Sequence, residues 1–183
     1  MTRKKTIQYG RFTLECRVLN GKRHATAFLN GRQILESEAK NTNQALAGAK
    51  AALDIRERTW SNERREPHIG TVEDYIDAFS ALPLAEHERL MLHAHANSDE
   101  RGMTAGELAH AAGYKGYQAA NSLYGALGKK VAQLAGLPFK KALATDGFVY
   151  TFALASGEQG KGEHWRWKMH PEVFEALRSL NMV

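Results

Sequence analysis

The chain is poor in the residues that would announce several familiar classes of protein. Cys16 is its only cysteine among 183 residues. That excludes an intramolecular disulfide and a cysteine-based zinc finger, and makes a reducing cytosol the expected compartment. No apolar run approaches the roughly 20 residues needed to cross a membrane, so no membrane partner is expected. The start, Met1-Thr2-Arg3-Lys4-Lys5, is basic but lacks the apolar stretch of a signal peptide, so no secretory leader is expected. No Gly-x-Ser-x-Gly or carboxylate-pair signature is present. The glycine-rich 156–162 segment lacks the Gly-Lys-Ser/Thr ending of a nucleotide-binding P-loop. His87, His93 and His95 are the only histidine cluster, and the two-residue step between His93 and His95 puts those two on different sides of a helix. Cys16 falls on the apolar face of a strand, as inert core. The expectation is a protein with no catalytic residues, no metal and no cofactor.

The chain has 43% hydrophobic residues, enough to bury a core, and a net charge of +5. Its charge is unevenly spread. Residues 1–70 carry 14 Lys+Arg against 7 Asp+Glu, residues 71–114 carry 2 against 8, and residues 115–168 carry 8 against 3. Two basic blocks flanking an acidic one suit a two-module binder of phosphate backbone.

Residues 10–19 alternate, with Phe12, Leu14, Cys16 and Val18 on one face and Arg11, Thr13, Glu15 and Arg17 on the other, as in a half-buried strand. Asn20-Gly21 and Asn30-Gly31 are tight-hairpin pairs. They separate this strand from a second over 23–29 and a third over 32–37. Asn41, Thr42 and Asn43 offer caps for a helix from about Gln44, carrying Ala45, Leu46, Ala49, Ala52 and Leu53 at helical spacing. Residues 1–58 thus form a β-β-β-α module. Residues 59–70, charged and broken by Pro67 and Gly70, are expected to be a linker, and 71–183 a second domain. The fold class is α+β.

In the second domain, Thr71 caps a helix holding Val72, Tyr75, Ile76 and Phe79 that Pro83 ends. A second helix over 84–97 places Leu84, His87, Leu90, Met91 and His95 along one stripe. Thr104 and Glu107 match a capping box. A short helix with Leu108, Ala109 and Ala112 follows, and Gly113 supplies a left-handed stop. The helix over 116–135 has Ala119 or Ala120, Leu123, Leu127, Val131 and Leu134 as its buried ridge. Gly125 and Gly128 inside it mark a close approach or a kink. Its exposed positions are Lys115, Tyr117, Gln118, Asn121, Ser122 and Tyr124, with Lys129 and Lys130 further along. Phe148, Tyr150 and Phe152 alternate along a strand, 156–162 is a flexible loop, and 164–168 is a return strand. That return strand has Trp165 and Trp167 on one face and Arg166 and Lys168 on the other. Pro171 starts a final helix with Val173, Phe174, Leu177 and Leu180.

This order over 71–183 resembles winged helix-turn-helix DNA-binding domains. Residues 84–136 have a weaker similarity to winged modules that accompany HNH-type restriction nucleases in bacteria. No HNH motif is present, so no cutting activity follows. The β-β-β-α module resembles the plant ethylene-response domain and the arm-binding domain of tyrosine integrases, and equally the sheet-plus-helix half of a double-stranded-RNA-binding domain. The resemblance implies a bacterial- or phage-like double-stranded DNA-binding protein, a sequence-specific regulator of transcription or a DNA-targeting module. Helix 116–135 would meet base edges through Tyr117, Gln118, Asn121 and Ser122. Lys115 belongs to the same early part of the helix; Lys129, Lys130, Lys161, Arg166 and Lys168 would contact backbone, and Arg11, Arg17 and Arg23 would add a second contact from the sheet. The other reading is an interaction module, such as an inhibitor of a nucleic-acid-processing complex, that grips a protein partner with the same scaffold. Monomer and homodimer are both open.

Overall fold

The computed structural model describes residues 5–98, 102–142, 146–158 and 164–183. The chain is mixed α+β and divides into two compact units, Met1–Glu63 and Arg64–Val183.

Unit 1 is an antiparallel meander, β1 (Lys5–Tyr9), β2 (Phe12–Leu19), β3 (Lys22–Leu29) and β4 (Arg32–Ala39), paired in that order, with α1 (Thr42–Glu63) on one face. Both Asn-Gly pairs take left-handed φ at both positions, 50° and 76° at Asn20-Gly21 and 50° and 86° at Asn30-Gly31. That twist matches the flanking strands and sets the register. Ile7, Leu14, Ala27 and Leu35 lie in one cross-strand row on the side α1 covers. Asn41 caps α1, its side-chain oxygen accepting from the Gln44 N–H at 2.9 Å. Gly48 lets α1 sit close on β4, because a Cβ there would stand 2.5 Å from the Ser37 hydroxyl.

Two features of unit 1 differ from expectation. The sheet has a fourth strand, β1, whose Ile7 and Tyr9 pack on the core although its first residues are polar. The helix also runs on to Glu63 through residues expected to be linker. Trp60 folds back on the core under Arg56, whose guanidinium carbon is 4.0 Å from the ring centroid.

Unit 2 holds α2 (Val72–Ala81), α3 (Glu86–Ala96), β5 (Met103–Thr104), α4 (Ala105–Ala111), α5 (Tyr117–Ala135), a short 3-10 helix (Tyr150–Ala153), β6 (Ala155–Glu158), β7 (Arg166–Met169) and α6 (Pro171–Ser179). The three short strands form one sheet in the order β5-β7-β6. Tyr75, Phe79, Met91, Leu92, Leu108, Tyr124, Leu127, Val131, Leu154, Val173 and Leu177 fill its core. Residues 64–70 belong to this unit. Arg64 donates to the buried Asp74 carboxylate at 3.0 Å and to the Ala135 and Gly136 carbonyls, so it closes the C-terminus of α5.

The expected strand over 148–153 is instead an extended lead-in followed by the 3-10 turn. Gly128 explains the difference. A Cβ there would meet the Tyr150 carbonyl oxygen at 2.4 Å, so glycine lets this segment settle directly on α5. Phe139, Phe148 and Tyr150 then cluster beside it. Beyond a single bridge between Lys141 and Phe148, strand pairing starts at Ala155, opposite Met169, and includes Ser156, Gly157 and Glu158, expected in a loop. Gly125 meets nothing closer than 3.9 Å. Leu90, expected inside, is exposed, and Glu88 is buried in its place. On α5, Leu123 and Leu134 are half-buried and Tyr124 is fully buried, not exposed.

Candidate nucleic-acid interface

The site is built on α4, α5 and the β6–β7 hairpin. The Thr104 hydroxyl accepts from the Glu107 N–H at 3.1 Å and Glu107 accepts from the Thr104 N–H at 2.8 Å, which starts α4. Glu107 also takes two bonds from Arg166, at 3.1 and 3.4 Å, and Arg166 reaches the Gly102 carbonyl at 3.1 Å. The Thr104 N–H bond first, and the Arg166 charge with it, hold the Glu107 carboxyl below the usual range. Arg166 is therefore the tie between the hairpin and α4. Gly113 at φ 81° ends α4, with the Tyr114 N–H closing onto the Ala109 carbonyl at 2.9 Å, and the chain turns into α5.

Two contacts fix α5 against α3 and β7. Lys130 stands 2.9 Å from the buried Glu88 carboxylate. Burial alone would raise the Glu88 carboxyl, but the Ala85 N–H and the Lys130 ammonium outweigh it and hold it low. His95 bridges the Tyr124 hydroxyl (2.7 Å) and the Trp167 carbonyl (2.8 Å). A carbonyl only accepts, so Nε2 carries the hydrogen and Nδ1 accepts from the Tyr124 O–H. Burial, outweighing the pull of the Trp167 carbonyl, lowers the His95 pKa to about 4.

Among the expected contact residues, Lys115, Tyr117, Gln118, Asn121 and Ser122 are exposed at the start of α5. They separate into two stripes. Gln118, Ser122 and Lys129 run along one, Lys129 with its ammonium 5.1 Å from the Tyr150 ring centroid. Tyr117 and Asn121 face the hairpin across a cleft of about 920 Å³, whose other walls include Thr104, Phe152, Trp165 and Trp167. Lys168 pairs with Glu158 at 2.8 Å. Lys161 lies outside the described residues.

In unit 1, Arg11 is bound to Glu57 at 2.8 Å and lies against Phe12 and Trp60. Arg17 pairs with Glu36 at 3.4 Å. Arg23, expected to make a contact from the sheet beside Arg17, is opposite Val18, so alternation turns it toward the α1 side and not the face that carries Arg17. The outer face carries Glu15, Glu36 and Glu38 beside Arg17, Lys22 and His24. His24 is buried between Glu36 and Glu38, at 3.2 and 3.6 Å.

Sequence reasoning missed Trp165, exposed at the cleft, Glu107 as the partner of Arg166, and the His95–Tyr124 pair. Gly157 is the one local signal for Trp165, since a Cβ there would overlap the indole at 2.2 Å. Cys16 is buried, which pushes its thiol pKa up. Among the described residues no group of three or more His, Cys, Asp or Glu could hold a metal, and no helix is long and apolar enough to cross a membrane.

The chain matches no protein-family model, no curated protein and no solved structure.

Proposed function

We propose that unit 2 is a winged helix-turn-helix module that binds double-stranded DNA, in a non-enzymatic cytoplasmic regulator or DNA-targeting protein. The carrying observation is the exposed polar stripe on α5, Gln118, Ser122 and Lys129 with Lys115 before it, beside a β6–β7 hairpin. The element order supports the reading. A helix (α3), a short strand (β5), two helices joined by a glycine turn (α4, α5) and a hairpin (β6–β7) follow one another, and β5 pairs with β7. In this reading α5 enters the major groove. Gln118 offers an amide that pairs with adenine, Ser122 a hydroxyl to a base edge, and Lys115 and Lys129 meet phosphates. Lys130 and Arg166 act differently. Each is held by a carboxylate of its own unit and serves to hold the reading helix and the wing in place.

The reading assigns DNA contact to unit 2 in preference to unit 1. Three carboxylates on the outer face of the sheet oppose a polyanion, and Arg11 and Arg17 are already paired. A second reading, a module that grips a protein partner, is favoured by the exposed aromatic side chains of Tyr117, Phe148 and Trp165. Selection from a random-sequence duplex pool separates the two. The DNA reading expects an enriched motif that Gln118→Ala/Ser122→Ala relaxes. The protein reading expects no enrichment and no salt-sensitive duplex binding.

A further inference from the structure

We infer that the cleft between α5 and the hairpin receives a nucleobase, supplied as a base unstacked from the bound DNA. The inference rests on the DNA-binding reading of unit 2 and names what that site takes in.

Four observations carry it. First, the cleft, at about 920 Å³, falls within the size range of ligand sites, roughly 300–1,000 Å³. Second, Tyr117 and Trp165 are 57% and 40% exposed, and both line it. Phe152, Trp167 and Trp165 form an edge-to-face chain along one wall, with centroids 5.7 and 5.8 Å apart. Aromatic surface left open in this way suits stacking on a flat ring. Third, the described residues lining it include His164 but no Lys, Arg, Asp or Glu, and most are apolar or aromatic, which suits a flat, uncharged ring. Fourth, the Asn121 amide makes no hydrogen bond among the described residues and faces the cleft, so it can bond to a base edge.

The position of the cleft gives the source. Tyr117 and Asn121 continue, toward the start of α5, the stripe that buries Gly128 and Ala132 further along. Among the described residues the cleft is therefore an uncovered end of the domain's own core, one helical stripe away from Gln118 and Ser122. A duplex read by that outer stripe brings its bases next to the opening.

A mismatch lowers the cost of unstacking a base, so a protein that captures one binds a mismatched duplex more tightly. The test measures dissociation constants for a matched duplex and for the same duplex with one central mismatch. Wild type, Trp165→Ala and Trp165→Phe are compared, each checked for folding by circular dichroism. The expected result is a matched-to-mismatched ratio of about ten or more for wild type. That ratio falls to about one in Trp165→Ala and is kept in Trp165→Phe. Equal binding of both duplexes by wild type, or a preference that survives Trp165→Ala, overturns the inference and leaves the duplex reading standing. If neither duplex binds, the duplex reading fails and free nucleosides decide the cleft. Adenosine, guanosine, cytidine and thymidine are titrated against tryptophan fluorescence in a Trp60→Phe background, which leaves Trp165 and Trp167 as reporters. Saturable quenching keeps the cleft as a nucleobase site with a free source, and no quenching overturns it.

Discussion

Acid should loosen unit 2 through a single buried histidine. His95 lies between the Tyr124 hydroxyl and the Trp167 carbonyl, joining α3, α5 and β7. Its neutral form satisfies both partners. A proton on Nδ1 would have to be accepted by the Tyr124 oxygen, leaving the Tyr124 O–H with no acceptor among the described residues, in a site that burial already makes hostile to charge. The folded pKa of about 4 lies below the 6.5 of a free imidazole. The unfolded chain therefore binds more protons between those values, and stability is fully present above about pH 6.5 and falls as pH drops toward 4. A gap of that size is worth about 3 kcal/mol in full, of which about 2 kcal/mol is lost between roughly pH 7 and pH 5. Burial also lowers the pKa of His68 and of His170, so both push in the same direction. The assay is urea unfolding at a series of pH values in a Trp60→Phe background, so that Trp165 and Trp167 report unit 2. His95→Gln should be less stable near pH 7 but have a slope with pH flatter by about 2 kcal/mol over that window. Parallel losses in the two proteins would refute the reasoning.

Gly128→Ala should cost about 3 kcal/mol in urea unfolding, because its Cβ would press on the Tyr150 backbone, which cannot swing aside. Gly125→Ala, with open space, should be neutral or stabilise by up to about 1 kcal/mol. Arg64→Ala removes the 3.0 Å ion pair to the buried Asp74 carboxylate and the two bonds to the α5 C-terminus, and should cost about 3 kcal/mol, read as a fall in unfolding midpoint. Lys115→Ala should leave stability within about 0.5 kcal/mol and reduce the salt slope of duplex binding by about one. Lys130→Ala should instead destabilise unit 2 by leaving Glu88 buried without its cation, measured in the same unfolding assay.

The parts of this fold that could be read in advance are those written in short stretches. Both Asn-Gly turns, the Thr71 and Thr104 caps and the left-handed Gly113 depend on residues within a few positions, and their chemistry leaves little choice. Strand β1 was not legible, because its apolar pair Ile7 and Tyr9 is too short to stand out beside Lys5, Thr6 and Gln8. The alternation of Phe148, Tyr150 and Phe152 misled, since those rings gather around Phe139 and the backbone beside Gly128 curls onto α5. Site residues divided in the same way. The exposed face of α5 follows from helical spacing, so Gln118, Ser122 and Lys129 were legible. Arg166 and Lys130 look like free cations in sequence, and only their distant partners Glu107 and Glu88, 59 and 42 residues away, show them to be engaged. Tyr124 looked like one more contact residue because its partner His95 belongs to another helix.

The most direct test of the central claim is duplex DNA affinity at two salt concentrations, with a random-sequence pool and then with any enriched sequence. The account predicts an enriched motif, micromolar or tighter binding, and an affinity that falls steeply as salt rises, with a log–log slope of about −0.9 per phosphate contacted. Gln118→Ala/Ser122→Ala should relax the motif, and Lys115→Ala/Lys129→Ala should weaken all sequences alike. Absence of salt-sensitive duplex binding at micromolar protein would contradict the account.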